Sequence, residues 1–304
     1  MRQLDPSIEL VVCGSSSAAM PTFGEWERVV LSHTYDLVDY ISCHAYYNLV
    51  GDDLPSFLAS AVDMDRFIET VVATADHVGA VKGSSKRIQI SFDEWNIWNI
   101  DRYHAEDKHT AIDDWPVAPR ILEDVYTVAD AVVVGDLLIS LLKHADRVTS
   151  ASLAQLVNVI APIMTEPGGG VWKQTTFHPF AVTSRLARGQ AVAVDVRAGS
   201  IDTERHGTVP QVDAVATADG DALAVFLVNR STDAPVEIAV DLGTGAPARE
   251  IVEAVGLWDE DPFATNSLEQ PERVTLRTLE GAVVEDGALR VTLPPVSWAA
   301  VSLR

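Results

Sequence analysis

The sequence predicts two architectures in succession: an α/β portion built on a parallel sheet, then an all-β portion folded as an antiparallel β-sandwich. Three observations carry that expectation. Over roughly the first 175 residues, short apolar runs alternate with long helical patterns, as βα units do. From about Pro179 the long helical patterns cease, and short runs follow one another between turns. Glycine and proline mark those turns, at Gly220, Gly243, Gly281, Gly287 and Pro294.

The first strand is read at Ile8–Gly14, IELVVCG, a compact apolar run closed by glycine. A turn-rich segment leads to an amphipathic stretch over Phe23–Leu31. The second strand is YDLVDYISCHAYY, Tyr35–Tyr47. A long helix follows over Pro55–Val81, where Phe57, Val62, Phe67, Ile68, Val71 and Val72 fall near helical spacing. RIQISFDEW, Arg87–Trp95, is the third strand, and a polar loop rich in Asp and His runs from there to Pro119. A helix is expected over Arg120–His144, and a fourth strand at RVTSASLAQL, Arg147–Leu156. After one short helix come AVAVDVRA, ALAVFLVN, PVEIAVDL, ALRVTLPP and VSWAAVSL. In PVEIAVDL, Val236, Ile238, Val240 and Leu242 alternate with Glu237, Ala239 and Asp241, so one face meets water. The expected domains are therefore 1–178 and 179–304.

Composition narrows the function classes. The 304 residues hold 22 Lys plus Arg against 44 Asp plus Glu, a formal net charge of −22. Such a chain repels phosphate backbones and anionic membranes, and a neutral substrate suits it better. The two cysteines, Cys13 and Cys43, lie in apolar runs and read as free thiols of a reducing cytosol. MRQLDPSIEL has no apolar core of signal-peptide length. The longest apolar run, Ala131–Leu142, is interrupted by Asp136 and is too short to span a bilayer. A soluble, cytoplasmic protein with no nucleic-acid or membrane partner is expected.

Candidate functional residues gather at strand ends. On a regular strand Ile90, Phe92 and Glu94 share one face, while Ser91, Asp93 and Trp95 share the other. If the first face fills the interior, Glu94 stands at the carboxyl-terminal rim, where α/β folds bind ligands, and Asp93 points to the helix layer. A strand-end carboxylate also serves to cap a following helix. Ser42, His44 and Tyr46 share a face of the second strand, and a tyrosine hydroxyl beside a carboxylate holds it ionised. Gln155 ends the fourth strand, where an amide suits a substrate hydroxyl. His44 as a core histidine, Gln155 as a satisfied amide, and Trp95 and Trp98 as core aromatics are the plainer alternatives. Flat rings beside carboxylates also suit the apolar faces of sugars. The loop with His104, Asp107, His109, Asp113 and Asp114 lacks the spacing of a metal site, so no metal is expected and the loop reads as a solvated rim.

Taken together, SFDEWNIW, CHAYY and LAQLVNVIAPIMTE resemble glycoside hydrolase family 51, the intracellular α-L-arabinofuranosidases. SSSAAMPTFGEWE, VAPRILEDVYTVADAVVVGDLLISLLKHADRV and WKQTTFHPF are similar to the family too. The resemblance implies the carboxy-terminal half of a (β/α)8 TIM barrel followed by a jelly-roll-like β-sandwich. It implies retention, no cofactor, arabinofuranosyl-containing oligosaccharides as substrates and a homo-oligomer where the barrel is complete. Carried over, Glu94 matches the nucleophile, Tyr46 the tyrosine that orients it, His44 and Gln155 sugar contacts, and Trp98 a wall of the subsite. The family's general acid/base glutamate follows an asparagine, and no Asn-Glu pair occurs in this chain. Glu25 in FGEWE matches another segment. The expectation is thus a carboxy-terminal portion carrying half of a two-carboxylate site, with a glucan-cleaving specificity, a non-catalytic arabinose-binding remnant or an assembly subunit as alternatives.

Overall fold

A computed structural model describes residues 1–108, 116–117, 119–243 and 250–304. The chain is of mixed α/β class and forms two units. One comprises Met1–Tyr46, Asp63–Asn96 and His144–Ala154; the other comprises Tyr47–Val62, Ile97–Lys143 and Gln155–Arg304.

The first unit is organised by a sheet in the order β1 (Val11–Val12), β2 (Tyr40–Tyr47), β3 (Gln89–Ile97), β4 (Val148–Leu153). β1 pairs in parallel with β2, and β3 with β4. β1, β2 and β4 are shorter than expected. At Leu10 the backbone amide turns to the Asp39 carboxylate at 2.8 Å, which leaves only Val11–Val12 in the ladder. Before β2, Tyr35 and Val38 still donate to the carbonyls of Leu31 and Thr34, so the strand starts at Tyr40. β4 is not the doubly buried strand anticipated, since Thr149–Ser152 are exposed.

Helix α1 (Glu25–Thr34) begins after Gly24, whose φ of 80° favours glycine. Its third residue, the fully buried Glu27, accepts from the Gly24 amide at 2.7 Å and the Ser15 amide at 2.8 Å. That carboxylate therefore ties the helix start to the loop after β1. The helix expected over Pro55–Val81 is two helices, α2 (Leu54–Leu58) and α3 (Ser60–Lys82). Asp53 caps α2 by accepting from the Ser56 amide at 3.1 Å, and the chain leaves helical geometry at Ala59. Within the first unit, Phe67 of α3 stacks on Phe23 and meets Phe92 edge-on, with ring centroids 4.9 and 5.9 Å apart. Arg147 is buried there, donating to Asp76 and to the Ile88 carbonyl, each at 2.8 Å.

In the second unit a single turn, α4 (Ile100–Arg102), runs into a π-turn at Tyr103–Asp107. Then comes α5 (Val128–Lys143), eight residues shorter at its start than the sequence pattern implied. Thr127 and Asp130 form a reciprocal cap: the Thr127 amide and hydroxyl donate to Asp130 at 2.7 Å, and the Asp130 amide returns a bond at 3.2 Å. Ahead of it Leu122 has φ 58°, and buried Gln174 clasps the segment, accepting from the Tyr126 amide at 2.9 Å.

After α5 the chain forms β5 (Ile163–Thr165), β6 (Val171–Lys173), α6 (Phe177–Leu186), β7 (Gln190–Val192), β8 (Ser200–Thr203) and β9 (Gly207–Pro210). The remaining strands are β10 (Val212–Asp219), β11 (Ala222–Asn229), β12 (Val236–Asp241), β13 (Ile251–Leu257), β14 (Arg277–Thr278), β15 (Val283–Glu285), β16 (Ala288–Leu293) and β17 (Ser297–Leu303). Of the stretch AVAVDVRA only its beginning is in a strand. One sheet has the order β14-β13-β17-β11-β10-β7 and another β12-β16-β15. Their apolar faces share a core, where Val225, Leu227 and Val301 meet Leu289, Val291 and Leu293. The alternation of PVEIAVDL is realised in β12, whose Glu237, Ala239 and Asp241 are exposed.

α5 is buried along nearly its whole length, as a helix apolar on every side must be. At Gly135 a Cβ would stand 2.2 Å from the Trp298 ring, so only glycine admits β17 at this distance. Asp136, the charged residue in the apolar run, meets Arg230 at 2.8 Å; Arg230 also bonds Asp213 at 2.8 Å, and Lys143 bonds Asp213 at 2.7 Å. Burial pushes the Asp136 carboxyl up while Arg230 holds it down. Among the described residues no helix is long and apolar enough to cross a membrane.

Arg230→Met removes the charge paired with the buried Asp136 and one of the two cations on Asp213, and a loss of about 3–5 kcal/mol in urea unfolding is expected. A second effect is readable in acid. Arg273, donating to Asp259 at 2.9 Å through one of its nitrogens, holds that carboxyl at about 2 against 3.8 for a free aspartate. This contribution is complete above the free value and is lost as pH falls through the depressed one. The destabilisation caused by Arg273→Ala should therefore be present at neutral pH and shrink between about pH 4 and pH 2.

Candidate active site

Alternation along β2 brings Ser42, His44 and Tyr46 to one side of the sheet, while Cys43 and Ala45 are buried on the other. β3 lies beside β2, and its pairing with β4 loses register between Phe92 and Trp95. A break of this kind re-aims side chains. Phe92 packs on Phe67 of α3, and Trp95 is fully buried in the core. The two residues between them, Asp93 and Glu94, both reach the β2 cluster.

Glu94 accepts from the Tyr46 hydroxyl at 3.0 Å and lies 3.3 Å from His44 Nδ1. Asp93 accepts from the Ser42 hydroxyl at 2.7 Å and lies 3.0 Å from His44 Nε2. The expected placement of Asp93 toward the helix layer is thus incorrect, because strict alternation does not hold across the irregularity. Nor does Phe92 share a face with Glu94. Burial, and then the hydrogen bond and negative charge of Glu94, raise the Tyr46 phenol well above its ordinary range. The Glu94 side chain is 48% exposed, so an incoming group has access to it.

Of the residues singled out from the sequence, Glu94 is therefore in contact with both His44 and Tyr46. Trp98 and Gln155 belong to the second unit. Trp98 is half-buried, its ring 5.9 Å from that of Tyr103. Gln155 follows β4 with its side chain exposed and its backbone amide donating to Ile160 at 3.1 Å. Of the polar loop, His109, Asp113 and Asp114 lie outside the described residues. Among the described residues no group of three or more His, Cys, Asp or Glu is placed to hold a metal ion. Asp93 is the contact that periodicity missed, and the adjacent pair of carboxylates was its only trace in the sequence.

Residues 93–297 match the model of the α-L-arabinofuranosidase C-terminal domain. The chain belongs to glycoside hydrolase family 51. Among its relatives in this family, it is 53% identical to an intracellular exo-α-(1→5)-L-arabinofuranosidase of Streptomyces lividans, covering 99% of this chain and 45% of that protein. It is 51% identical to an exo-α-(1→6)-L-arabinofuranosidase of Bifidobacterium longum, covering 100% of this chain and 60% of that protein. A solved family 51 α-L-arabinofuranosidase of Bifidobacterium longum superposes with a TM-score of 0.94 at 43% identity, over 100% of this chain and 61% of that one. An α-L-arabinofuranosidase of Thermotoga maritima has the same fold, with a TM-score of 0.77 at 22% identity. The chain thus spans about half the length of the family 51 relatives it matches.

The contact between Tyr46 and Glu94 has a direct readout. Because the Glu94 charge raises the Tyr46 phenol, Glu94→Gln should lower the pH at which Tyr46 ionises. Ultraviolet titration of tyrosinate, with Tyr46→Phe to identify the signal, measures that shift.

Proposed function

We propose that this chain carries the nucleophile half of a retaining α-L-arabinofuranosidase that releases terminal non-reducing arabinofuranosyl residues from oligosaccharides and polysaccharides. The observation that carries the reading is Glu94 at the end of a parallel strand, bonded to Tyr46 and flanked by His44. Membership of family 51 supports it. In this reading residues 1–178 are the second half of a (β/α)8 barrel and 179–304 a β-sandwich domain. The compact parallel sheet and the antiparallel sheets around one core support that division.

A Glu94 oxygen attacks the anomeric carbon, and a glycosyl ester forms as the bond to the leaving oxygen breaks. The leaving oxygen takes a proton from a second carboxyl group. In the second step that carboxylate removes a proton from water, whose oxygen bonds the anomeric carbon and releases Glu94. Tyr46 keeps one Glu94 oxygen hydrogen-bonded and so aims the other. His44, Gln155 and Trp98 are assigned to sugar contacts. The second carboxyl belongs about 5–5.5 Å from Glu94 in a retaining site. No Asn-Glu pair occurs in these 304 residues, so that group is assigned to polypeptide outside them. The chain's negative charge suits a neutral sugar, and the names of its relatives support a cytoplasmic location. A homo-oligomer fits a completed barrel. The relatives differ in linkage, so the linkage is left open.

An arabinofuranoside with a dinitrophenyl leaving group, which departs without protonation, tests this assignment. The chain should gain one anhydro-arabinose on Glu94, detected by peptide mass spectrometry and abolished by Glu94→Gln. With an alkyl leaving group the rate should fall by an additional factor of about 10²–10⁴, the usual contribution of a general acid. An adduct on another residue, or equal rates with both substrates, would overturn the proposal.

A further inference from the structure

Two motifs set apart in the sequence, ILEDVY and WKQTT, have no part in the proposed mechanism. In the second unit they surround the segment 97–99, which leads from the end of β3 to α4 and carries Trp98. The Ile97 carbonyl accepts from the buried Tyr126 hydroxyl at 2.8 Å. The Trp98 amide donates to the Tyr47 carbonyl at 2.9 Å, and the Asn99 amide donates to the buried Asp124 carboxyl at 2.7 Å. Three successive residues are thus bonded through their backbones, two of them by buried side chains. The hold extends to the ring: the Asn99 carbonyl accepts from the Tyr103 amide at 3.1 Å, and the Tyr103 ring lies 5.9 Å from that of Trp98. Residues 122–126 are themselves tied down. The Leu122 carbonyl accepts from the Ile160 amide at 2.6 Å, and buried Gln174 accepts from the Tyr126 amide and donates to the Asp124 carbonyl, each at 2.9 Å.

We propose that Asp124 and Tyr126 are positioning residues for the sugar subsite: they fix the backbone on either side of Trp98 and so set the place of its ring. The proposal rests on the reading of this chain as an arabinofuranosidase with Trp98 walling the sugar, and deepens it. A wall works by close contact, and a gap of about 0.5–1 Å forfeits roughly a quarter to a half of the attraction between facing atoms. Trp98 lies between β3 and α4, outside both, and its side chain is only half-buried. Neither a strand ladder nor deep packing sets its position. The Tyr126 hydroxyl and the Asp124 carboxyl supply that constraint from the far side of the segment, where no sugar reaches them. Leaving either peptide group without its partner would free the segment to adopt other arrangements. Neither residue touches the sugar in this scheme; each acts through Trp98.

Methyl α-L-arabinofuranoside, whose leaving group departs only with acid assistance, is the probe, and saturation-transfer spectra with the full chain give its dissociation constant. Tyr126→Phe removes one oxygen and keeps the ring in the core. It should raise that constant about two- to ten-fold, the span of one neutral hydrogen bond. Asp124→Ala should act in the same direction. Trp98→Ala should also weaken binding, and adding Tyr126→Phe to it should bring no further loss, because the wall that Tyr126 positions is gone. A wild-type constant in Tyr126→Phe overturns the proposal. So does an equal further loss in the Trp98→Ala background, the mark of a general effect on the fold, and so does a wild-type chain that does not bind the probe. The readout is independent of turnover. Coupled losses without a Glu94 adduct defeat the nucleophile reading, whereas an adduct with uncoupled losses defeats only the roles of Asp124 and Tyr126.

Discussion

Between Phe92 and Trp95 the ladder joining β3 to β4 loses register, and two adjacent carboxylates come to serve one cluster. In a regular strand Asp93 and Glu94 would point to opposite faces. One would then meet the helix layer, where Phe67 already packs on Phe92, and an unpaired carboxylate among those rings would be costly. The irregularity removes that conflict. It leaves Phe92 and Trp95 in apolar surroundings and turns both charges to the polar side chains of β2. The end of the strand is held as well: Asn96 donates to the Ala154 carbonyl at 2.5 Å, and the Ala154 amide donates to Trp95 at 3.2 Å. β3 is thus pinned to the end of β4 just beyond the break.

The second unit solves a similar problem by pairing rather than by bending. An apolar helix buried on every side offers no water to Asp136, so the chain supplies Arg230 from the end of β11. Arg230 also engages Asp213, and Lys143 shares that second carboxylate. Such a network adds little net stability over an apolar core, since desolvation offsets much of the attraction. Its geometry is nevertheless demanding, because each partner must arrive at hydrogen-bond distance. Together with the close approach of Gly135 to Trp298, it fixes the position of α5 on the sheet.

Much of this was legible in the sequence, and the failures share a cause. Strand alternation and the polar ends of successive apolar runs picked out His44, Tyr46 and Glu94, and Glu94 meets the other two. The period-two pattern of PVEIAVDL likewise anticipated the exposed face of β12. Periodicity went wrong wherever a local hydrogen bond overrode it. Thr127 and Asp130 start α5 although apolar residues precede them, and the departure at Ala59 divides a continuous helical pattern. The Thr-Val-Ala-Asp spacing of that cap was visible, with Asp in place of the usual Glu. The break in β3 was not. Nothing in ISFDEWNIW marks a register shift, because a bulge is set by what the neighbouring strand presents.

Exposure is the remaining constraint on what the cluster can do. With the Glu94 side chain 48% and the His44 side chain 27% exposed, water competes for every contact among them. Charge interactions in such a setting are screened and individually weak. Enclosure of the cluster would remove that water, and the same distances would then carry more energy. Drying would also raise the cost of any unbalanced charge.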